Sequence, residues 1–187
     1  IYGEKAFGIS VTDQNETYNV TINALVVTMT ITTADQYANW ITIAKACEQS
    51  ATLWGGYFRL GANITATSMV MFNRGETDGR EGFKGVFDGC GYVIDGLNRN
   101  SQDSNAFVTT MTETGVLKNI AFTNVKITCA GNFLTSGGKG TIENVYVQYT
   151  EISAGSQYNG TIANFKDGSM RNVFVDASKA TVVGDGS

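Results

Sequence analysis

The chain has 187 residues, 42% of them apolar, with 22 glycines and neither proline nor histidine. That is enough for one domain with a full core, and the missing histidine excludes a catalytic triad or a zinc site of the usual kind. The net charge of −4 and a sequence pI of about 4.8 argue against a nucleic-acid or anionic-membrane partner, and no apolar run is long enough for membrane insertion.

Residues 1–32 alternate apolar and polar, as in Val20-Thr-Ile22 and Leu25-Val-Val27-Thr-Met29-Thr-Ile31. They predict about two strands joined by a polar connection at Asp13–Thr17. Residues 34–49 are the one helical segment, because Tyr37, Trp40, Ile41, Ala44 and Cys47 share a face. Thr33 suits the N-cap and Asp35 suits the positive end of the helix dipole. The segment 33–50 is expected to close one end of a solenoid, with Trp40 as a core plug. The strand pair around Trp54–Thr65 follows, then a charged, glycine-rich loop from Asn73 to Gly85. No composition shift marks a second domain. The chain begins at Ile1 rather than Met and is read as a mature or excised piece of a longer protein, so the missing leader carries no information on secretion.

Three later segments are versions of one pattern: Gly115-Val-Leu-Lys-Asn119-Ile-Ala-Phe122, Gly140-Thr-Ile-Glu-Asn144-Val-Tyr-Val147 and Gly168-Ser-Met-Arg-Asn172-Val-Phe-Val175. The asparagines lie 25 and 28 residues apart. A worn fourth copy, Tyr92–Leu97, aligns if Gly96 takes the asparagine's place. Asn and Gly tolerate positive φ, so Asn119, Asn144, Asn172 and Gly96 are expected to be left-handed corners with inward amides. Such a corner resets side-chain parity and lets Leu117 and Ile120 both point inward. A second element precedes each copy: Asn105-Ala-Phe107-Val108, Gly131-Asn-Phe133-Leu134 and Gly160-Thr-Ile162-Ala163. Units of this length cannot bury their own apolar side and must stack. The expected fold is an all-β parallel β-helix over residues 51–187, preceded by the capping helix and a few extra strands.

These features resemble bacterial GLUG-repeat proteins over about residues 33–176. The likeness rests on Tyr57-Phe58-Arg-Leu60-x-x-Asn63-Ile64, on Phe83-x-Gly85-x-Phe87-Asp88-Gly89-x-Gly91-Tyr-x-Ile94-x-Gly-Leu97 and on the repeats that follow. The segment that names the family is degraded here to Asn-Ala-Phe-Val, Gly-Asn-Phe-Leu and Gly-Thr-Ile-Ala. The resemblance implies a right-handed β-helix in a secreted or surface-attached bacterial protein, with related repeats in adhesins and IgA-cleaving peptidases. It implies no shared catalytic residues.

Four positions before the corners alternate in sign: Asp95, Lys118, Glu143 and Arg171. On stacked layers they would pair and set register on a solvated face. The column Asn98, Ala121, Tyr146 and Phe174 should face outward, with Tyr149 nearby. It is either covered by residues 1–32 or open as a platform for an extracellular glycan or host protein. A polysaccharide-cleaving alternative would draw on Asp78, Arg80, Glu81, Lys84 and Asp88, although Asp88 also fits an Asx-type turn capped by glycine. Cys47, Cys90 and Cys129 have no metal-ligand spacing and read as small buried residues, with one disulfide plus one free thiol as the alternative. The sequons at Asn15, Asn19, Asn63 and Asn159 read as accidental in an Asn- and Thr-rich chain. The expectation is a non-catalytic extracellular binding or spacer module without cofactor or metal, or a ligand-free stalk. Absence of a C-terminal capping helix adds an expected end-to-end self-association at that end.

Overall fold

A computed structural model describes residues 2–47, 55–67, 82–99, 106–108, 110–128, 132–135, 137–153, 162–163 and 167–183. In chain order the elements are β1 (Gly3–Asp13), β2 (Glu16–Val26), β3 (Met29–Ile31), α1 (Ala34–Cys47), β4 (Tyr57–Leu60), β5 (Ile64–Thr65) and β6 (Val86–Asp88). There follow β7 (Val93–Asp95), β8 (Asn98–Arg99), β9 (Thr110–Met111), β10 (Val116–Ile127), β11 (Gly137–Gly138), β12 (Thr141–Ser153), β13 (Ser169–Asp176) and β14 (Thr181–Val183). The fold is the expected parallel β-helix. Its principal sheet runs β13-β12-β10-β6-β4-β3, every neighbouring pair parallel. The helix is therefore inserted after the first rung, and Met29–Ile31 belong to the solenoid rather than to the preceding strands.

The register explains the repeat. Val86 pairs with Val116, Val116 with Thr141 and Thr141 with Ser169. Gly85, Gly115 and Gly140, which precede the first three of these residues, pack against the layer below, where a side chain has no room. A Cβ on Gly115 would lie 2.3 Å from the Phe83 carbonyl oxygen, and one on Gly140 would lie 2.6 Å from that of Gly115. Register extends the Gly-x-apolar-charged pattern backwards to Gly56-Tyr-Phe-Arg59 and Gly85-Val-Phe-Asp88.

Asn119, Asn144 and Asn172 have φ of 53°, 53° and 52°, so the corners are left-handed as expected. Parity is reset: Leu117 and Ile120 are both buried, as are Ile142 and Val145. Two details differ from expectation. The amides do not turn inward. Asn172 donates to Asn144 and Asn144 to Asn119, each at 2.9 Å, and Asn119 donates to Asp88 at 3.1 Å. The amides thus form a ladder along the outside of the stack, because a left-handed corner aims its short side chain away from the core and toward its copy one layer on. Gly96 is also a positive-φ corner, at 89°, but it belongs to another column. Thr123 pairs with Asp95, which brings Gly96 level with Asn124 (φ 52°). In its own rung the counterpart of Asn119 is the longer turn Gly89-Cys90-Gly91, where Cys90 and Gly91 both take positive φ.

The second repeated element also stacks. Phe107 N–H donates to the Phe133 carbonyl at 2.7 Å, Val108 to Leu134 at 2.9 Å and Leu134 to Ile162 at 2.7 Å. The core carries an aromatic line from Trp40 through Phe87, Phe107, Phe122 and Phe133 to Tyr149, with neighbouring ring centroids 4.8 to 6.0 Å apart. The helix plugs this core. Tyr37, Trp40 and Ile41 are buried, and Trp40 meets Phe58, Phe87 and Phe107. Its start is capped as expected: Gln36 N–H donates to Thr33 Oγ1 at 3.2 Å, and Gln36 Oε1 accepts from Thr32 N–H at 2.7 Å. Strands β1 and β2 form a separate antiparallel hairpin closed by Gln14 and Asn15.

Candidate functional site

Because strand residues alternate sides, the rungs that bury Val145, Val147 and Ile120, Phe122 must turn the residues between and beyond them outward. Register makes the outward column Val93, Ala121, Tyr146 and Phe174. Asn98, expected in this column, instead pairs with Lys126 on another face. Tyr146 and Phe174 are brought together as expected. Their rings are 6.2 Å apart and 12° from parallel. Phe174 is 68% exposed and Tyr146 is half-buried, so Phe174 supplies the open ring face. Tyr149 does not join them. It is fully buried at the end of the aromatic line, because it lies two residues beyond the inward Val147 and so keeps the inward phase of β12. Among the described residues, 2–32 do not cover the platform either: Phe174 stays 68% exposed, β1 and β2 pair with each other, and β3 lies at the opposite edge of the principal sheet from β13.

Two residues that the repeat pattern leaves out complete the site. Gln148 and Asp176 are paired in register, two residues beyond Tyr146 and Phe174, and so share their outward phase. Asp176 accepts from Tyr146 Oη at 2.9 Å, from Gln148 Nε2 at 3.3 Å and from Ser178 N–H at 2.9 Å. Hydrogen bonds from Ser178, Tyr146 and Gln148 hold this carboxyl well below the usual carboxylate range. The carboxylate in turn raises the Tyr146 hydroxyl and keeps it a donor. The signal that could have found this pair was the outward parity continued past the last apolar residue of each copy.

The charge column also shifts by one element. Its acidic member at this level is Asp88, not Asp95, and the in-register series reads Arg59, Asp88, Lys118, Glu143, Arg171. Lys118 lies 3.5 Å from Asp88, and Arg171 lies 2.5 Å from Glu143. Asp95 instead accepts from Thr123 at 2.5 Å and from Asn124 at 2.7 Å.

Of the residues considered for catalysis, Asp78, Arg80 and Glu81 lie outside the described residues. Asp88 is 7% exposed and is committed to the fold. It accepts from Cys90 N–H at 2.9 Å, which is the expected Asx turn, and from Tyr57 Oη at 2.8 Å and Asn119. Burial raises its pKa, but those three hydrogen bonds and the Lys118 charge outweigh burial and leave it lowered. Lys84 lies four residues upstream, between Phe83 and the packed Gly85. Among the described residues no group of three or more Cys, Asp or Glu is arranged to hold a metal ion. Cys90 is exposed on its corner, not buried as expected, because its positive φ turns it out of the coil. The side chains of Cys47 and Cys129 lie outside the described residues. Comparison of the chain with family models, curated proteins and solved structures found no match.

Proposed function

We propose that this chain is a non-catalytic binding module of an extracellular or surface-attached bacterial protein, and that its ligand is a glycan seated on Phe174 beside Gln148 and Asp176. One observation carries this reading: an aromatic ring 68% exposed on a regular sheet, with a carboxylate fixed in place two residues away. A pyranose offers a C–H face to an aromatic ring and a rim of hydroxyls to neighbouring polar groups. Ring, amide and carboxylate on one flat surface match both needs. The size of the patch favours a sugar over a host protein, since a stable protein contact needs about 800 Å² from each partner and two rings with two polar side chains offer far less. Membership of the GLUG-repeat family is part of the proposal, supported by the Phe87-Asp88-Gly89 stretch and the repeats.

A glycan array probed with the chain in multivalent form tests it. A single exposed site of this kind binds weakly, with a Kd of about 1 mM or somewhat tighter. Phe174→Ala is expected to abolish the signal at an unchanged melting temperature, and Asp176→Asn to weaken it. Equal signal from Phe174→Ala, or cleavage of a bound oligosaccharide, contradicts the proposal.

A further inference from the structure

The hairpin β1–β2 is amphipathic and stands apart from the solenoid core. Directly opposed residues of an antiparallel pair share a face. The pairs Phe7 with Ile22, Ile9 with Val20 and Val11 with Tyr18 therefore place six large apolar side chains on one side. Each is between 46% and 57% exposed. The other side is polar, with Ser10 bonded to Asn19 at 2.5 Å and Thr12 to Thr17 at 3.1 Å. An isolated two-stranded hairpin is marginally stable in water, and a continuous apolar strip of this size marks a contact surface.

We propose that this strip is a self-association face, on which two copies of the chain pack their hairpins face to face with strands antiparallel. The charges at its ends select that occupant. Lys5, opposite Ala24, bounds the strip at the base, and the opposed pair Asp13 and Glu16 bounds it at the tip. Lys5 lies four residues before Ile9 and Asp13 lies four after it, so the Ile9–Val20 pair is the midpoint. A two-fold axis across the strands at that midpoint sets Lys5 of each copy over Asp13 and Glu16 of the other. The parallel arrangement puts acid against acid and is disfavoured. An anionic lipid surface meets the same two carboxylates and a net charge of −4. Six half-exposed side chains offer on the order of 600 Å² per copy. Two copies together bury about 1,200 Å², the lower limit of a stable interface. The contact is isologous, so it closes at a dimer, and it leaves the Phe174 face of each copy free for ligand.

Sedimentation velocity over rising concentration tests this on the 187-residue chain. The unaltered chain is expected to dimerise by about 100 µM. Ile9→Glu is expected to stay monomeric there, with the solenoid's melting temperature retained as the control for folding. Lys5→Glu should weaken the dimer roughly fivefold, since it removes an ion pair from each end. Lys5→Glu combined with Asp13→Lys and Glu16→Lys should restore it. A monomer throughout, a dimer that survives Ile9→Glu, or a triple variant weaker than Lys5→Glu overturns the proposal.

Discussion

At the scale of single residues, the repeat's conserved-looking letters divide into backbone and side-chain duties. Asn144 does both: it supplies a positive φ and joins two neighbouring amides. An alanine there would lose the ladder bonds and also strain the corner by about 1–2 kcal/mol. Asn144→Ala is therefore expected to cost about 2 kcal/mol in denaturant unfolding. Asn144→Gly should cost roughly 1 kcal/mol less, because glycine accepts the φ. Equal losses would refute the corner account. Asp88 gives a pH signature. Its pKa is lowered in the fold, so its contribution is complete above an ordinary carboxylate pKa of about 3.9 and is lost as pH falls through its folded value. Asp88→Asn should cost about 1–3 kcal/mol at neutral pH and flatten the fall in melting temperature below pH about 4. A variant with the acid limb of the unaltered chain would show that other carboxylates set it.

At the scale of elements, the three clear copies were legible because Asn119, Asn144 and Asn172 leave the same spacing to the next inward residue. The earlier rungs in the chain were not. The Gly85 copy spends Gly89-Cys90-Gly91 on its corner, which pushes its next strand out of phase with the pattern, and the eye is drawn instead to Gly96. Only layer-to-layer pairing reveals that Asp88 heads the charge column. Tyr149 misleads for a different reason: it is close in sequence to the outward Tyr146, but three residues on it has the opposite parity and falls in line with Val145 and Val147. The helix was plain from its periodicity, and its role follows from Trp40, which is 2% exposed against Phe58, Phe87 and Phe107. Trp40→Ala should cost about 3–5 kcal/mol, read by thermal or chemical unfolding. A loss under about 1 kcal/mol would mean that the helix does not plug the core.

At the scale of the molecule, the solenoid turns a sequence repeat into columns, and columns into a surface. Inward columns merge into one core, corner columns become an amide ladder, and charged columns alternate in sign. What remains is an outward sheet face whose side chains carry no part of the core, and there Phe174 stands beside Asp176 and Gln148. The hairpin's apolar strip lies apart from it, so self-association and ligand binding would not compete. The most direct test of the central claim is a calorimetric titration of the best array oligosaccharide into the unaltered chain and into Phe174→Ala. The account predicts at least tenfold weaker binding by the variant, about 1.4 kcal/mol or more, at an unchanged melting temperature. Matching Kd values for the two chains would contradict it.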